Sequence, residues 1–147
     1  MPSEAEQVKM AKDAMAVFGQ SVNETSMEKF HRYISQLWRS QASIEKLDQV
    51  FGGIYNKGLD LTKLQHFAPI FNQSPKIDEN GILKIDGYFP SKPIRVDFVQ
   101  KYLFEGTRWK LIGFSLEAKP AEESATNDQS AKTPKAVQTE ESTQASN

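Results

Sequence analysis

The sequence predicts an α+β domain, with N-terminal helices packed on an antiparallel sheet of about four strands. Three observations carry this. Apolar residues recur at three- and four-residue steps through the first half of the chain. Short, strand-like apolar runs fill the second half, and hairpin-type turn residues separate them. Helices first and a meander afterwards point to helices covering one sheet face, not to a βαβ parallel sheet.

The first helix runs from Ser3 or Glu4 to about Val22, with Val8, Ala11, Met15, Phe18 and Val22 on one stripe. Thr25 and Glu28 read as a T-x-x-E capping box for a second helix. Met27, Phe30, Ile34, Leu37 and Trp38 form its face, and Arg39 to Ser43 is a polar break. Ser43 caps a third helix carrying Leu47, Val50, Phe51 and Ile54. Gly52-Gly53 weakens that helix by about 1 kcal/mol per glycine, and Gly58 can end it with a positive φ.

After Gly58 the period changes. Leu59, Leu61 and Leu64 lead into Phe67 to Phe71, an irregular or edge strand, because Pro69 has no N–H to give a ladder. Asp78 to Gly81 is a turn ending in the hairpin dipeptide Asn-Gly. Strands follow over Ile82 to Phe89, Ile94 to Phe104 and Trp109 to Leu116, with Pro90 to Pro93 breaking the first from the second. Glu105 to Arg108 suits a type II′ turn with Gly106 at its first central position.

The chain divides at residue 117. Residues 1–117 hold 15 Lys and Arg against 14 Asp and Glu, so the body is nearly neutral and offers no clustered positive surface for nucleic acid. Residues 118–147 contain no aromatic residue and Val137 as their one large aliphatic. Such a segment buries too little apolar surface to offset its ordering entropy, and it is expected to be a disordered polar tail. With no cysteine in the chain, disulfides, thiolate nucleophiles and Cys-ligated zinc are excluded. No run approaches the length of a membrane span, and the polar start has no apolar leader segment. The expected location is cytoplasmic, or periplasmic or secreted if a leader has been removed or the tail is a secretion signal.

Certain residues then carry a family resemblance. They are the helix Ile44 to Tyr55 followed by Gly58-Leu59-Asp60-Leu61, the piece Leu83-Lys84-Ile85-Asp86-Gly87, and the last hairpin. That hairpin reads Val96-Asp97-Phe98, Tyr102, Glu105, then Trp109-Lys110-Leu111-Ile112-Gly113-Phe114. From about Met27 to Leu116 the chain resembles the nuclear-transport-factor-2-like superfamily, the cystatin-like cones, in its bacterial members of unknown function. The resemblance implies a curved sheet closed by helices into a cone. It does not imply one activity, since isomerases, dehydratases, transport factors and bare ligand-binding modules share that fold.

Several residues could carry chemistry. His31 and His66 lack any metal-ligand spacing, so neither a metal nor another cofactor is expected. Asp97 lies between Val96 and Phe98 in an apolar strand. In isomerases of the superfamily a carboxylate and tyrosines meet in the cone, and Asp97 with Tyr102 could imitate that as a proton-transfer pair. Tyr33, Tyr55 and Tyr88 are further possible partners. The plainer alternative has Asp97 facing solvent and pairing with Arg95 or Lys101. Tyr33, Trp38, Phe51, Tyr55, Phe67, Phe98 and Tyr102 could line a ligand pocket or simply form the core.

The reading is a non-enzymatic module that holds a small apolar ligand or a protein partner in the cone or on the outer sheet face. An isomerase or dehydratase using Asp97 and a tyrosine is one rival. A secreted effector-type protein with a glutamate-bearing C-terminal secretion tail is another. A homodimer through the sheet is also expected. The alternation of the final strand splits its apolar residues between faces, Trp109 and Leu111 against Ile112, Phe114 and Leu116, and an uncovered apolar patch marks an interface.

Overall fold

The structure, a computed structural model, describes residues 1–121. From residue 122 on, the expected disordered tail lies outside the described residues.

Helix α1 spans Glu4–Asn23 and starts at a capping box that the sequence reading did not name. The Glu6 N–H donates to Ser3 Oγ at 3.1 Å, and the Ser3 N–H donates to Glu6 Oε1 at 2.9 Å. The box expected at Thr25 does not form. Thr25 sits in a turn at φ +50, and its hydroxyl donates to the Glu24 carbonyl at 2.6 Å. The first N–H groups of α2 (Glu28–Tyr33) find other acceptors. Met27 donates to Asp48 Oδ1 at 3.1 Å, Glu28 to Ser26 Oγ at 3.2 Å and Phe30 to Ser21 Oγ at 3.1 Å.

The single helix expected over Met27 to Trp38 is two helices. Ile34 is extended, Ser35 caps the next helix by accepting from the Trp38 N–H, and α3 runs Gln36–Gln41. Tertiary structure makes this break, because the Ser35 N–H donates 2.9 Å to the Leu111 carbonyl on the last strand. Helix α4 (Ile44–Phe51) is capped by Ser43, as the sequence predicts. It ends earlier than expected, and Gly52–Ile54 tightens into a 3-10 turn. A second 3-10 stretch covers Leu61–His66.

The sheet has five strands rather than about four. They are β1 (Ile70–Phe71), β2 (Lys76–Ile77), β3 (Ile82–Phe89), β4 (Ile94–Glu105) and β5 (Arg108–Pro120). The order is β1-β3-β4-β5, with β2 also paired to β3, and every pairing is antiparallel. The short β1 can lie on β3 only because Gly87 has no side chain. A Cβ there would stand 2.1 Å from the Ile70 carbonyl oxygen. The β4–β5 turn follows expectation, with Gly106 at φ +70. Strand β5 continues past residue 117 to Pro120, opposite Ile94, and the Ala121 N–H donates to the Pro93 carbonyl. The folded body therefore extends beyond the boundary set from composition.

One irregularity changes the sheet's chemistry. Lys101 pairs with Gly113 but Tyr102 pairs with Leu111, so Ile112 is the extra residue of a β-bulge. The inserted residue shifts the alternation by one. Trp109 and Leu111 before it, and Phe114 and Leu116 after it, then lie opposite Phe104, Tyr102, Gln100 and Phe98 on one common face. The apolar split on which the sheet-to-sheet dimer was argued is therefore absent. The outer face carries Lys84, Asp86 and Tyr88 on β3, with Arg95, Asp97 and Lys101 on β4, beside half-buried Val99 and Leu103. The core lies between the inner face and the helices, where Leu83, Ile85, Phe89, Val96 and Phe98 meet Ala11, Met15 and Phe18. No described helix is long and apolar enough to cross a membrane.

Candidate functional site

Helix α1 crosses the inner face, and its two halves meet it differently. Toward its C-terminus Phe18 sits among three other rings. Its centroid is 5.2 Å from those of Phe30 and Phe51 and 4.7 Å from that of Phe114. Toward its N-terminus the contact is polar. Gln100 projects inward at an apolar phase of β4 and is fully buried. Its Nε2 donates to the Ala11 carbonyl at 3.3 Å. The Tyr102 hydroxyl lies 2.6 Å from Gln100 Oε1 and 3.0 Å from the Met10 carbonyl, and its one hydrogen serves these two acceptors. Burial raises the Tyr102 pKa well above its ordinary value, with smaller contributions from Tyr33 and Asp13. The phenol is therefore a neutral donor at any ordinary pH.

A cavity flanks each end. The larger, about 550 Å³, opens between the first turns of α1 and the β4–β5 hairpin, with Asp13, Tyr33, Tyr102, Phe104 and Trp109 in its wall. Tyr33 is half-buried there, and its pKa is pushed up to about 12 by burial and by the negative charge of Asp13. The smaller cavity, about 370 Å³, lies between the end of α4 and β5. Phe18, Val50, Phe51, Ile54, Leu59 and Leu116 line it, so its wall is mainly hydrocarbon.

The residues expected at a site are dispersed. Tyr33 and Tyr102 share the larger cavity, and Phe51 lines the smaller. Trp38, partly buried, packs its ring 5.9 Å from Phe30 against the edge of the core, and Phe98 is a core residue with its ring tilted 5.2 Å from Phe89. Phe67 is a partly buried neighbour of the core. The Tyr55 hydroxyl donates 2.5 Å to Asp48, and its pKa is raised by burial and then by that carboxylate.

Asp97 and Tyr102 do not meet. They are five residues apart on one strand, an odd separation, so their side chains leave opposite faces of the sheet. Asp97 lies on the outer face between Arg95, 2.7 Å away, and Lys119, 2.9 Å away. Arg95 also covers the Tyr88 ring at 3.9 Å. His31 Nε2 is 3.1 Å from the Ala42 carbonyl, and His66 is exposed. Among the described residues no group of three His, Cys, Asp or Glu could hold a metal.

Sequence reasoning overlooked Gln100 and placed Phe114 and Leu116 on the opposite face from Trp109 and Leu111. Gln100 carried a usable signal, as the one polar residue in the inward series Val96, Phe98, Gln100, Tyr102. The bulge hid the shared face of Phe114 and Leu116. Comparison with models of known protein families, with curated proteins and with solved structures finds no match.

Proposed function

We propose that this protein is a non-enzymatic binding module that holds a small apolar ligand in the cavity between α4 and β5. The observation that carries the reading is the composition of that wall. Phe18, Val50, Phe51, Ile54, Leu59 and Leu116 line about 370 Å³, with Lys57 and Glu117 in the same wall, and the volume is within the range of about 300–1,000 Å³ usual for small-molecule sites. An apolar guest would replace water against these side chains and gain the free energy of burying hydrocarbon. The ion-paired position of Asp97 on the other sheet face supports binding over proton-transfer chemistry, since the pair suggested for catalysis is separated by the sheet.

The test uses N-phenyl-1-naphthylamine, an uncharged probe that fluoresces in apolar surroundings. The intact chain should show saturable enhancement. Leu116→Trp, which fills the cavity from β5, should weaken it by at least about tenfold with an unchanged circular dichroism spectrum. A dark probe with the unmodified chain, or equal binding by the variant, overturns the proposal. Self-association through the sheet belongs to the same reading, and an isologous contact would have to match Arg95, Asp97 and Lys119 to themselves. Sedimentation equilibrium at a mass of 16.6 kDa would reject it.

A further inference from the structure

We propose that the free edge of β5, from Phe114 to Ala118, takes up an extended peptide as a further strand, and that an apolar side chain of this peptide fills the cavity between α4 and β5. The inference rests on that cavity being a binding site, and it names the class of partner.

The backbone supplies the first half of the argument. Strand β5 ends the order β1-β3-β4-β5, so one of its sides has no strand neighbour. In an antiparallel strand the N–H and C=O of a residue point to the same side, and that side alternates along the chain. The phase is fixed at Leu111, whose carbonyl points away from β4 and accepts from the Ser35 N–H. The bulge at Ile112 shifts the phase by one, so Phe114, Leu116 and Ala118 also point their N–H and C=O groups outward. Among the described residues these groups find no partner. A regular row of free donors and acceptors is a template on which an extended chain pairs.

The cavity supplies the second half. Leu116, Glu117 and Ala118 all stand in its wall. Successive side chains of a strand leave opposite faces, so this wall includes the edge of β5 and not its inner face alone. Val50, Ile54 and Leu59 stand across from that edge. A residue paired with Leu116 carries its side chain on the same face as Leu116, over the cavity. Its neighbours along the peptide point to the other face. The site therefore selects apolar side chains at every second position. Lys57 and Glu117 put one charge of each sign in the wall, which favours a peptide near neutrality over a strongly acidic or basic one.

Two other occupants fit less well. The outward row from Phe114 to Ala118 is about 17 Å long. Pairing two copies along so short a row buries far less than the roughly 1,200 Å² of a stable interface. Residues 122–147 follow β5 directly, but Val137 is their one large aliphatic residue, so they lack apolar side chains at alternate positions.

The test peptide is acetyl-Lys-Val-Thr-Leu-Thr-Val-Glu-amide, whose apolar residues alternate and whose charges cancel. It is titrated into the full chain while NMR follows amide hydrogen exchange and N-phenyl-1-naphthylamine fluorescence reports on the cavity. In the free chain the Leu116 and Ala118 amides should exchange fast, and those of Ser115 and Glu117 slowly. The peptide should slow Leu116 and Ala118 by at least about tenfold and displace the dye. A peptide N-methylated at its leucine lacks one ladder donor and should bind at least about tenfold more weakly. Ala118→Pro removes an outward N–H that the β4 ladder does not use, so it should keep its circular dichroism spectrum and lose the peptide. If that variant does not fold, the N-methylated peptide carries the test. Dye enhancement that the peptide does not reverse, or equal displacement by the N-methylated peptide, overturns the proposal and leaves the cavity reading standing. A dark dye overturns the cavity reading instead, and amide protection then judges the edge by itself. Leu116 and Ala118 amides already slow in the free chain would mean a covered edge. A second copy covers it if that protection depends on concentration, and the rest of the chain if it does not; either result overturns the proposal.

Discussion

The two halves of α1 dock on the same sheet by different physics. Near Phe18 the contact is a cluster of four rings held by burial and edge-to-face packing. Near Met10 and Ala11 it is a pair of side chains, Gln100 and Tyr102, that reach backbone carbonyls of the helix. Burial is non-directional, so the aromatic end can leave an apolar gap beside it at modest cost. Hydrogen bonds are directional, and buried donors and acceptors left unpaired cost more than paired ones gain. The polar end therefore specifies where the helix sits, and the aromatic end contributes most of the stability.

The largest effect should come from the aromatic end. Phe18→Ala removes a fully buried ring and should cost about 3–5 kcal/mol in urea unfolding. A loss near zero would mean that the ring cluster is not the main anchor.

At the polar end Gln100→Leu should cost about 1–3 kcal/mol, because it leaves the Ala11 carbonyl without this donor and the Tyr102 hydroxyl without this acceptor. Tyr102→Phe should fall in the same range, and the double variant should cost clearly less than the sum. Strict additivity would show that the two side chains do not act as one network.

Alkali should then discriminate between the ends. The Tyr33 pKa is raised to about 12 in the folded chain, from about 10 in the unfolded one. The unfolded state loses that proton first, so stability is fully present below about pH 10 and falls as pH rises toward 12. Denaturant midpoints across this range should decline, and Tyr33→Phe should flatten the decline. Tyr102 at the same end and Tyr55 at the other end of the helical layer also have raised pKa values, so Tyr102→Phe and Tyr55→Phe are the necessary controls. A decline that only Tyr55→Phe removes would place alkaline sensitivity outside the polar end.

The smallest effect is expected for Leu116→Trp. Adding volume to a packed core costs about 1–3 kcal/mol, but here the new ring enters existing space, so thermal unfolding should stay within about 1 kcal/mol of the unmodified chain. A large loss would mean that the gap closes in solution and that the aromatic end is as tightly fitted as the polar end.

Much of the architecture was legible because it is locally encoded. Ser43 caps α4 through its own side chain, Ile82–Phe89 alternates cleanly, and Gly106 permits the last hairpin. The misreadings share one cause. Thr25 and Glu28 match a capping box, yet Ser21, Ser26 and Asp48 serve those N–H groups instead. The α2–α3 break is tied to Leu111, which is 76 residues beyond Ser35 in sequence and bonded to its N–H at 2.9 Å.

The sequence by itself determined the α+β class and the order of helices and strands, because periods of 3.6 and 2 are properties of the local backbone. Only the tertiary structure decided the bulge at Ile112, the inward bonds of Gln100, and which aromatic residues stand over open space. Each of these depends on residues far apart in the chain meeting at one place, and pairing of that kind leaves no periodic trace in the sequence.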